Sequence, residues 1–397
     1  MSASGRRKVF RVGASALALF SAAALFAGVV IHDSRAPRAA LTRSAQLEKL
    51  GGALFADRNL SFNRRQNCVS CHSPDLAFTD PRELGVVAGA VSRGADGRSL
   101  GDRNAPSAAY AAFAPAFHLD ANGEPVGGLF WDGRAATLED QAGGPPLNPI
   151  EMGMPDKASV VGRLKENSAH VSAFRALFGE TVFDDDERAF AAMTAAIAAF
   201  ERSPAMSPFS SKYDRARRGE AVLSEQETAG RDLFFSRERG NCAACHMSSD
   251  RKPAEREVFS NFRYYNLGVP VNRTVRAANG AAPGFVDKGL AAGGAVAADP
   301  RFEGRFKTPS LRNVAVTGPF MHNGIFEDLR TVLLFHQRFS DPFAAERAGR
   351  EGAGFGEPEV PANIARGELA SIGRLDDRDI DALTAFLKTL TDSRQIR

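Results

Sequence analysis

The sequence predicts a mainly α-helical protein built from two lobes, and three observations carry this prediction. Apolar residues recur at helical spacing in several segments, whereas the alternation typical of strands is scarce. One motif with two cysteines and a histidine occurs twice, at 68–72 and 242–246. A similar stretch precedes each copy, LEKLGGALF at 47–55 and ETAGRDLFF at 227–235. A repeated motif with a repeated flank indicates two related units rather than one large core.

The composition limits the class of protein. The chain has 397 residues, of which 44% are hydrophobic and 24% charged, an ordinary globular composition with room for two or three domains. These values exclude a disordered, collagenous or disulfide-stapled chain and a membrane protein with many spans. Four cysteines are too few for a disulfide framework, so the question is where they lie.

The first element along the chain is an N-terminal segment, residues 1–31, with the features of an export signal. A basic region precedes an uncharged, mostly apolar run from 12 to 31. Ala22 and Ala24 give this run a small-residue cleavage pattern, although about twenty such residues would also serve as an uncleaved membrane anchor. In either case we expect the rest of the chain to work outside the cytoplasm, in the periplasm.

The net charge of the chain comes from this segment. The formal charge is +3, and the first 31 residues hold four basic side chains and no acid. The four are Arg6, Arg7, Lys8 and Arg11. Without them the net charge is −1, so the charge gives no support for nucleic-acid binding.

The repeated motif is C-x-x-C-H, the attachment signature of c-type haem. Its two copies, CVSCH and CAACH, use all four cysteines of the chain, which are Cys68, Cys71, Cys242 and Cys245. Two thiols at this spacing both reach the vinyl groups of one porphyrin, and the following histidine lies under the iron as proximal ligand. A redox dithiol does not need that histidine, and half of a zinc site needs further ligands at short spacing. We therefore predict two c-type haems, with His72 and His246 as proximal ligands.

Two helices are predicted between and after the motifs from apolar residues at helical spacing. One covers residues 187–201, and the other lies near the end of the sequence and begins close to Asp376 and Asp377. Prolines, serines and a basic cluster at 203–224 predict a linker. The predicted fold class is all-α, with two cytochrome c-like haem domains, at 45–202 and 225–397, and long haem-wrapping loops.

Four further landmarks lie among the haem motifs: GDRNAPS at 101–107, FWDGRA at 130–135, NPIEMG at 148–153 and FKTPSLRNVAVTGPFMHNG at 306–324. Together and in this order, the six landmarks resemble the bacterial di-haem cytochrome c peroxidase and MauG superfamily. The resemblance runs from about residue 45 to 392. It implies that the first domain holds a peroxidatic haem and the second an electron-transfer haem.

The resemblance also implies roles for residues of the first domain. Glu151, in NPIEMG, takes the place of the family's distal acid/base, a group that moves a proton between the two oxygens of a bound peroxide. Trp131, the only tryptophan of the chain, matches the family's tryptophan between the haems and is expected to relay electrons. Gln141 and Pro145 fall on positions that flank the peroxide pocket.

A calcium ion between the domains is implied by the same resemblance. Its protein ligands would be Asn104, Thr317 and Pro319. A side-chain amide and backbone carbonyls are oxygen ligands that suit a hard cation, and water fills its remaining positions. No acidic cluster marks this site in the sequence, so the resemblance alone implies it.

The sequence departs from the classical peroxidases of the family in two places. There, a histidine in the loop before the RN-x-P motif caps the first haem, whereas residues 88–103 contain no histidine here. We therefore expect a five-coordinate first haem that is open to peroxide, as in the MauG branch. The far ligand of the second haem is a methionine in classical peroxidases and a tyrosine in MauG relatives, and the same interval beyond His322 reaches His336. We predict His246 and His336 as the ligands of that haem, with Met321 as the rival.

The predicted function is the reduction of hydrogen peroxide at the first haem, with electrons passing through the second. The expected donor is a small periplasmic cytochrome c or copper protein. One alternative is a MauG-like enzyme that uses peroxide to oxidise a protein substrate, which a histidine in place of methionine favours because it lowers the haem potential. Another is a non-catalytic di-haem electron-transfer cytochrome. No nucleic acid is expected as a partner, and family analogy leaves a homodimer open.

Overall fold

The computed structural model describes residues 35–81, 87, 89–247, 256–350 and 354–395. It divides into two units, Met1–Leu41 and Thr42–Arg397, and both haem motifs lie in the second. The predicted export segment, residues 1–31, lies outside the described residues. Within the described residues, no helix combines the length and the apolar character that a membrane span requires.

Helices dominate the described part of the chain. In order they are α1 (Arg35–Phe55), α2 (Leu138–Leu147), α3 (Lys157–Lys165), α4 (Ser168–Phe178), α5 (Asp186–Glu201), α6 (Lys212–Arg217), α7 (Glu225–Phe235), α8 (Arg273–Asn279), α9 (Leu329–His336), α10 (Ala344–Arg347), α11 (Arg366–Ala370) and α12 (Asp377–Lys388). Two antiparallel pairs of short strands accompany them, β1 (His118–Leu119) with β2 (Pro125–Val126), and β3 (Tyr264–Tyr265) with β4 (Phe306–Lys307). The prediction of a mainly helical protein with few strands is confirmed.

In the first lobe, which we define as α1 to α5, helix α1 crosses α5 at a glycine. The side chain of Asp185 caps α5 by accepting a bond of 2.7 Å from the backbone N–H of Arg188. A Cβ on Gly51 of α1 would lie 1.9 Å from the carbonyl oxygen of Ala196 and 2.9 Å from the Cβ of Phe200. Any side chain larger than hydrogen would therefore force the two helices apart.

The second lobe, which we define as α7 to α12, repeats this crossing. Asp376 and Asp379 form a capping box at the start of α12, where the sequence predicts the helix to begin. A Cβ on Gly230 of α7 would lie 1.9 Å from the carbonyl oxygen of Ala382 and 2.9 Å from the Cβ of Phe386. The repeated flank in the sequence is thus the glycine-bearing helix of each lobe.

Each lobe has its own apolar core beside this crossing. Among the largest fully buried side chains, Leu54, Phe174 and Met193 belong to the first core, and Phe234, Phe335 and Phe386 to the second. Burying each of them contributes about 1.5 to 3 kcal/mol to stability. Each lobe is therefore held together by a core of its own.

The segment predicted as a linker, 203–224, is held by buried polar contacts. Asp214 of α6 accepts two bonds from the guanidinium of Arg312, at 2.6 and 2.9 Å, and both side chains are buried. Nearby, the hydroxyl of Tyr110 donates to the carboxylate of Asp392 at 2.8 Å. The connection between the lobes is therefore folded, and the exact domain boundaries stay a prediction.

Candidate functional site: two cavities with a shared wall

The first C-x-x-C-H motif forms a tight turn. Asn67 caps the 3-10 turn Cys68–Ser70, and the backbone N–H of His72 donates to the carbonyl of Cys68 at 2.8 Å. Nδ1 of His72 lies 2.9 Å from the carbonyl oxygen of Phe78. Because a carbonyl only accepts, Nδ1 carries the proton and Nε2 keeps its lone pair. Burial lowers the pKa of His72, so the ring stays neutral, as a metal-ligating imidazole must be.

The second motif repeats this arrangement on the turn Cys242–Ala244. The backbone N–H of His246 donates to the carbonyl of Cys242 at 2.9 Å, and its Nδ1 lies 3.1 Å from the carbonyl oxygen of Phe259. The pKa of His246 is lowered to about 4, first by burial and then by the proximity of His336. Both motif histidines therefore offer a neutral ring with Nε2 as the available ligand atom.

The first motif lies against a cavity of about 770 Å³. Cys68, Cys71 and His72 line it, and so do Gln141, Pro145 and Glu151. Gln141 and Pro145 are on α2, and Glu151 is in the loop that follows this helix. The structure thus brings together all the residues that the resemblance assigns to the peroxide pocket, while their roles stay predictions.

The carboxyl of Glu151 is held in place at the first cavity. The amide nitrogen of Asn148 donates to Glu151 Oε1 at 2.9 Å and fixes the side chain. Burial raises the pKa of this carboxyl, and the charge of Arg134 and the bond from Asn148 partly offset that rise. A half-buried carboxyl with a raised pKa exchanges its proton more readily near neutral pH than an exposed one does.

The second motif lies against a smaller cavity, of about 240 Å³. His246 lines it together with His336, the last residue of α9. Nδ1 of His336 lies 2.8 Å from the carbonyl oxygen of Val332, so Nε2 is again the available atom, and burial lowers the pKa of the ring. Met321 lines this cavity and the first one, so both predicted far ligands border the second cavity.

Trp131 lies where the two cavities meet, since its side chain borders both. The indole Nε1 donates to the backbone carbonyl of Asn104 at 2.8 Å, and the Trp131 carbonyl accepts a bond of 2.8 Å from the backbone of Lys307. The indole is therefore fixed at both its ring and its backbone. This position agrees with the electron-relay role that the resemblance implies for Trp131, and the role itself stays a prediction.

Lys307, which the sequence analysis does not single out, also borders both cavities. Its ammonium donates to the backbone carbonyl of Gly128, and burial lowers its pKa to about 7 despite the nearby Asp132. The residue lies within the FKTPSLRNV landmark, which was the only available signal.

A network of charged side chains lies near Trp131 and Lys307, two of the residues that border both cavities. Arg103 donates to Asp132 at 2.6 Å and to both oxygens of Asp287 at 2.7 Å. His322 is buried and stacks on Phe306 with ring centroids 3.6 Å apart. Sequence analysis missed Asp287 because it lies outside every landmark and meets Arg103 only through the fold.

The three residues implied for calcium all line the wall of the first cavity. The Asn104 amide nitrogen lies 3.3 Å from the carbonyl oxygen of Ala90, which leaves its Oδ1 as the donor for a cation. Backbone carbonyls of Thr317 and Pro319 would add two more neutral oxygens, a set whose chemistry suits a hard cation that keeps several waters. Among the described residues no cluster of three histidine, cysteine or acidic side chains competes for a metal. Calcium stays a proposal.

Comparison with known proteins identifies the family of this chain. The model of the di-haem cytochrome c peroxidase family matches residues 45–222. The methylamine utilization protein MauG of Paracoccus denitrificans is 52% identical over 349 residues, which is 88% of this chain and 89% of the relative. The chain belongs to the di-haem cytochrome c peroxidase family, and the predictions of that family and of a di-haem peroxidase are confirmed.

Similarity extends to a second sequence relative and to a solved structure. The cytochrome c peroxidase Ccp of Escherichia coli K12 is 31% identical over 72% of this chain and 51% of its own length. The crystal structure of the di-haem peroxidase BthA from Burkholderia thailandensis superposes with a TM-score of 0.76 at 35% identity, covering 88% of this chain and 87% of that one. The fold is thus that of the di-haem peroxidases, while haem-wrapping loops stay a prediction.

Proposed function

We propose that this protein is an exported, periplasmic di-haem peroxidase whose first cavity reduces hydrogen peroxide and whose second cavity passes the electrons. The two motifs fit covalent haem, because each presents two thiols beside a neutral histidine with a free Nε2. Cys68, Cys71 and His72 would hold the first haem. The holders of the second would be Cys242, Cys245, His246 and His336. Haem iron supplies a binding position for peroxide and a change of oxidation state.

The protein's own contribution in the first cavity is proton transfer. Reduction of one hydrogen peroxide consumes two electrons and two protons and yields two waters. Glu151 accepts a proton from the entering peroxide and returns it to the oxygen that leaves, a role suited to its raised pKa. Asn148 holds the carboxyl in place, and Gln141 and Pro145 of α2 shape the pocket around it.

Electrons reach the first cavity from the second by way of Trp131. This route is supported by the position of the indole at both cavities and by the two bonds that fix it. The donor would be a small cytochrome c or copper protein. A calcium ion on Asn104, Thr317 and Pro319 would stabilise the same wall, because Asn104 also accepts the bond from Trp131.

The observation that carries the proposal is that Glu151 and His72 line one cavity. Glu151→Gln keeps the shape and removes the proton, so we expect peroxide turnover to fall by about a hundredfold to ten-thousandfold. The measurement is steady-state peroxide consumption with a reduced cytochrome c, alongside haem content and the ferric spectrum.

The matched control is Glu187→Gln, which removes an exposed carboxyl that pairs with Lys157 at 2.5 Å on the first lobe. It should keep wild-type turnover. If Glu151→Gln with full haem content retains wild-type turnover, Glu151 is not the acid/base.

A second candidate function is peroxide-driven oxidation of a protein substrate. The 52% identity to a MauG protein and the absence of histidine from 88–103 favour it. The two functions separate when peroxide is added with a reduced cytochrome c, a reduced copper protein or an intact candidate substrate protein. Rapid oxidation of either donor supports the peroxidase, whereas a mass change in the substrate protein without donor turnover supports the second candidate.

A further inference from the structure

Glu201, the last residue of α5, is a buried acid that faces the first cavity and has no part in the function proposed above. Its side chain lines the cavity together with Cys68 and Ile197, and only 4% of the residue is exposed. Among the described residues, nothing donates a hydrogen bond to its Oε2. An ionised carboxylate in this position would be costly, so the folded state favours the protonated form.

The second lobe has a leucine at the equivalent place. The crossing glycines align Ala196 of α5 with Ala382 of α12, and five residues further on these helices carry Glu201 and Leu387. Leu387 lines the second cavity as Glu201 lines the first. A haem lobe of this fold is therefore complete without a carboxyl here, which makes the acid a property of the first cavity rather than of the scaffold.

The charges that face Glu201 from its own end of α5 are few. Arg202 is the next residue, and it is bonded at 2.6 and 2.9 Å to Glu139 of α2, so this pair is internally balanced. Among the described residues, the thiol of Cys68 is a further titratable group that interacts with Glu201, and it becomes a non-titrating thioether once haem is attached.

The other elements packed against α5 direct their charges elsewhere. Lys157 and Lys165 of α3 pair with Glu187 and Asp186 at the opposite end of α5. Glu48 of α1 accepts a bond from a serine of its own helix. The short turn Ala111–Phe113 carries no titratable side chain. Burial dominates, and it raises the pKa of Glu201 to about 8.

We propose that Glu201 is a proton-coupling residue of the first haem: its carboxylate takes up one proton when the haem iron gains an electron and releases it when the iron is oxidised. The electron comes from the donor through the second haem, and the proton comes from solvent. The proposal rests on the proposed function only in requiring a redox-active haem in the first cavity. Oxidation adds one positive charge beside the carboxyl and favours its ionised form, whereas reduction favours the neutral form.

The test is a spectroelectrochemical titration of the holoenzyme, without peroxide, from pH 6 to pH 10. We expect the midpoint potential of the first haem to fall around pH 8 with a slope approaching about 59 mV per pH unit, the one-electron equivalent of a tenfold change in proton concentration. Glu201→Gln and Glu201→Leu should remove this slope. The two variants should leave the pH dependence of the second haem unchanged, because Leu387 occupies the equivalent place and the acids that line that cavity, Asp287, Glu359 and Glu368, are the same in all three proteins.

Glu187→Gln is the matched control, an exposed acid of the same helix that does not line the cavity, and it should retain the slope. A wild-type potential that is independent of pH, or a slope that survives in Glu201→Gln, would overturn the proposal. If the variants do not retain haem, infrared difference spectra of the wild type decide the question. They should show the carbonyl stretch of a protonated carboxyl disappearing on oxidation, and an unchanged band would also overturn the proposal.

Because the titration involves no peroxide, its result is independent of turnover. A protein that shows the slope but does not consume peroxide would contradict the proposed function alone. A protein that consumes peroxide at wild-type rates but shows no slope would contradict only the coupling role of Glu201.

Discussion

The first and second lobes bury the same helix crossing, a glycine against an alanine carbonyl and a phenylalanine one turn further on. In both, a neutral imidazole, His72 or His246, lines a cavity and is fixed by the same hydrogen bond from Nδ1 to a backbone carbonyl. Both cavities are lined by further acids, and the difference lies at particular places: the first cavity presents Glu151 and Glu201, whereas the second presents the imidazole of His336 and has Leu387 at the place of Glu201. On the function proposed above, the shared parts would hold a haem, and the differing parts would decide whether the site exchanges protons or passes electrons.

The largest effect is expected from breaking the shared scaffold. Gly51→Val and Gly230→Val each place a side chain within 2 Å of a backbone oxygen that belongs to a facing helix and cannot move away alone. We expect each to destabilise its lobe by about 3 kcal/mol and to lower haem content. Thermal unfolding and haem stoichiometry measure both effects.

A suitable control for these variants is Gly162→Ala on α3, where no described atom lies within 4 Å of the added Cβ. It should be neutral, or stabilising by up to about 1 kcal/mol, because alanine favours a helix. If Gly51→Val or Gly230→Val is as stable as the wild type, the helix crossing has room for a side chain, and the claim that it requires glycine is wrong.

The next largest effect tests the lining of the second cavity. His336→Ala removes the proposed far ligand, so we expect the second haem to change from low-spin to high-spin while the first remains unchanged. Ferric absorption and electron paramagnetic resonance spectra report both haems together. Met321→Leu should leave the spectrum intact, and a low-spin signal that survives in His336→Ala but is lost in Met321→Leu would reverse the assignment.

The smallest effect is a pH dependence of the unfolding free energy. It arises from Glu201 in the first lobe and has no counterpart at Leu387 in the second. The pKa of Glu201 in the folded state, about 8, lies above its ordinary value of 4.5, which applies in the unfolded chain, so between these pH values the folded state holds the proton. The resulting stability is fully present below about pH 4.5 and is lost as the pH rises through 8. Between pH 6 and pH 7 the unfolding free energy of wild type, relative to Glu201→Gln, should fall by about 1 kcal/mol. Denaturant titrations at the two pH values measure this difference, and a rise would contradict a buried neutral acid.

Features that depend on local sequence could be predicted. Helix α5 was found from apolar spacing over 187–201, and α12 from its apolar spacing and from the aspartates Asp376 and Asp377 at its start, of which Asp376 caps the helix. The haem motifs were found from spacing alone, because attachment requires that the cysteines and the histidine be neighbours in the chain.

Features that depend on the fold could not be predicted in this way. Local preferences argue against α2, which continues through Pro145 and Pro146, yet the helix forms where it packs on α5. In the sequence, Glu201 is one more polar residue at the end of a helix. Only the packing of α5 in the folded lobe places its side chain at the first cavity. Lys307 and Asp287 likewise obtain their surroundings from residues far away in the chain.

The contacts of residues 392–395 bear on the order in which the molecule is completed. Asp392 accepts the bond from Tyr110, and the Gln395 side chain accepts from the backbone of Ala77 at 3.1 Å and donates to the carbonyl of Pro74 at 2.7 Å. These residues follow α12, the final helix of the second lobe. The loop beside the first haem motif is therefore tied to residues more than three hundred positions further along the chain. The first lobe reaches its full set of contacts only after the chain beyond α12 has folded against it.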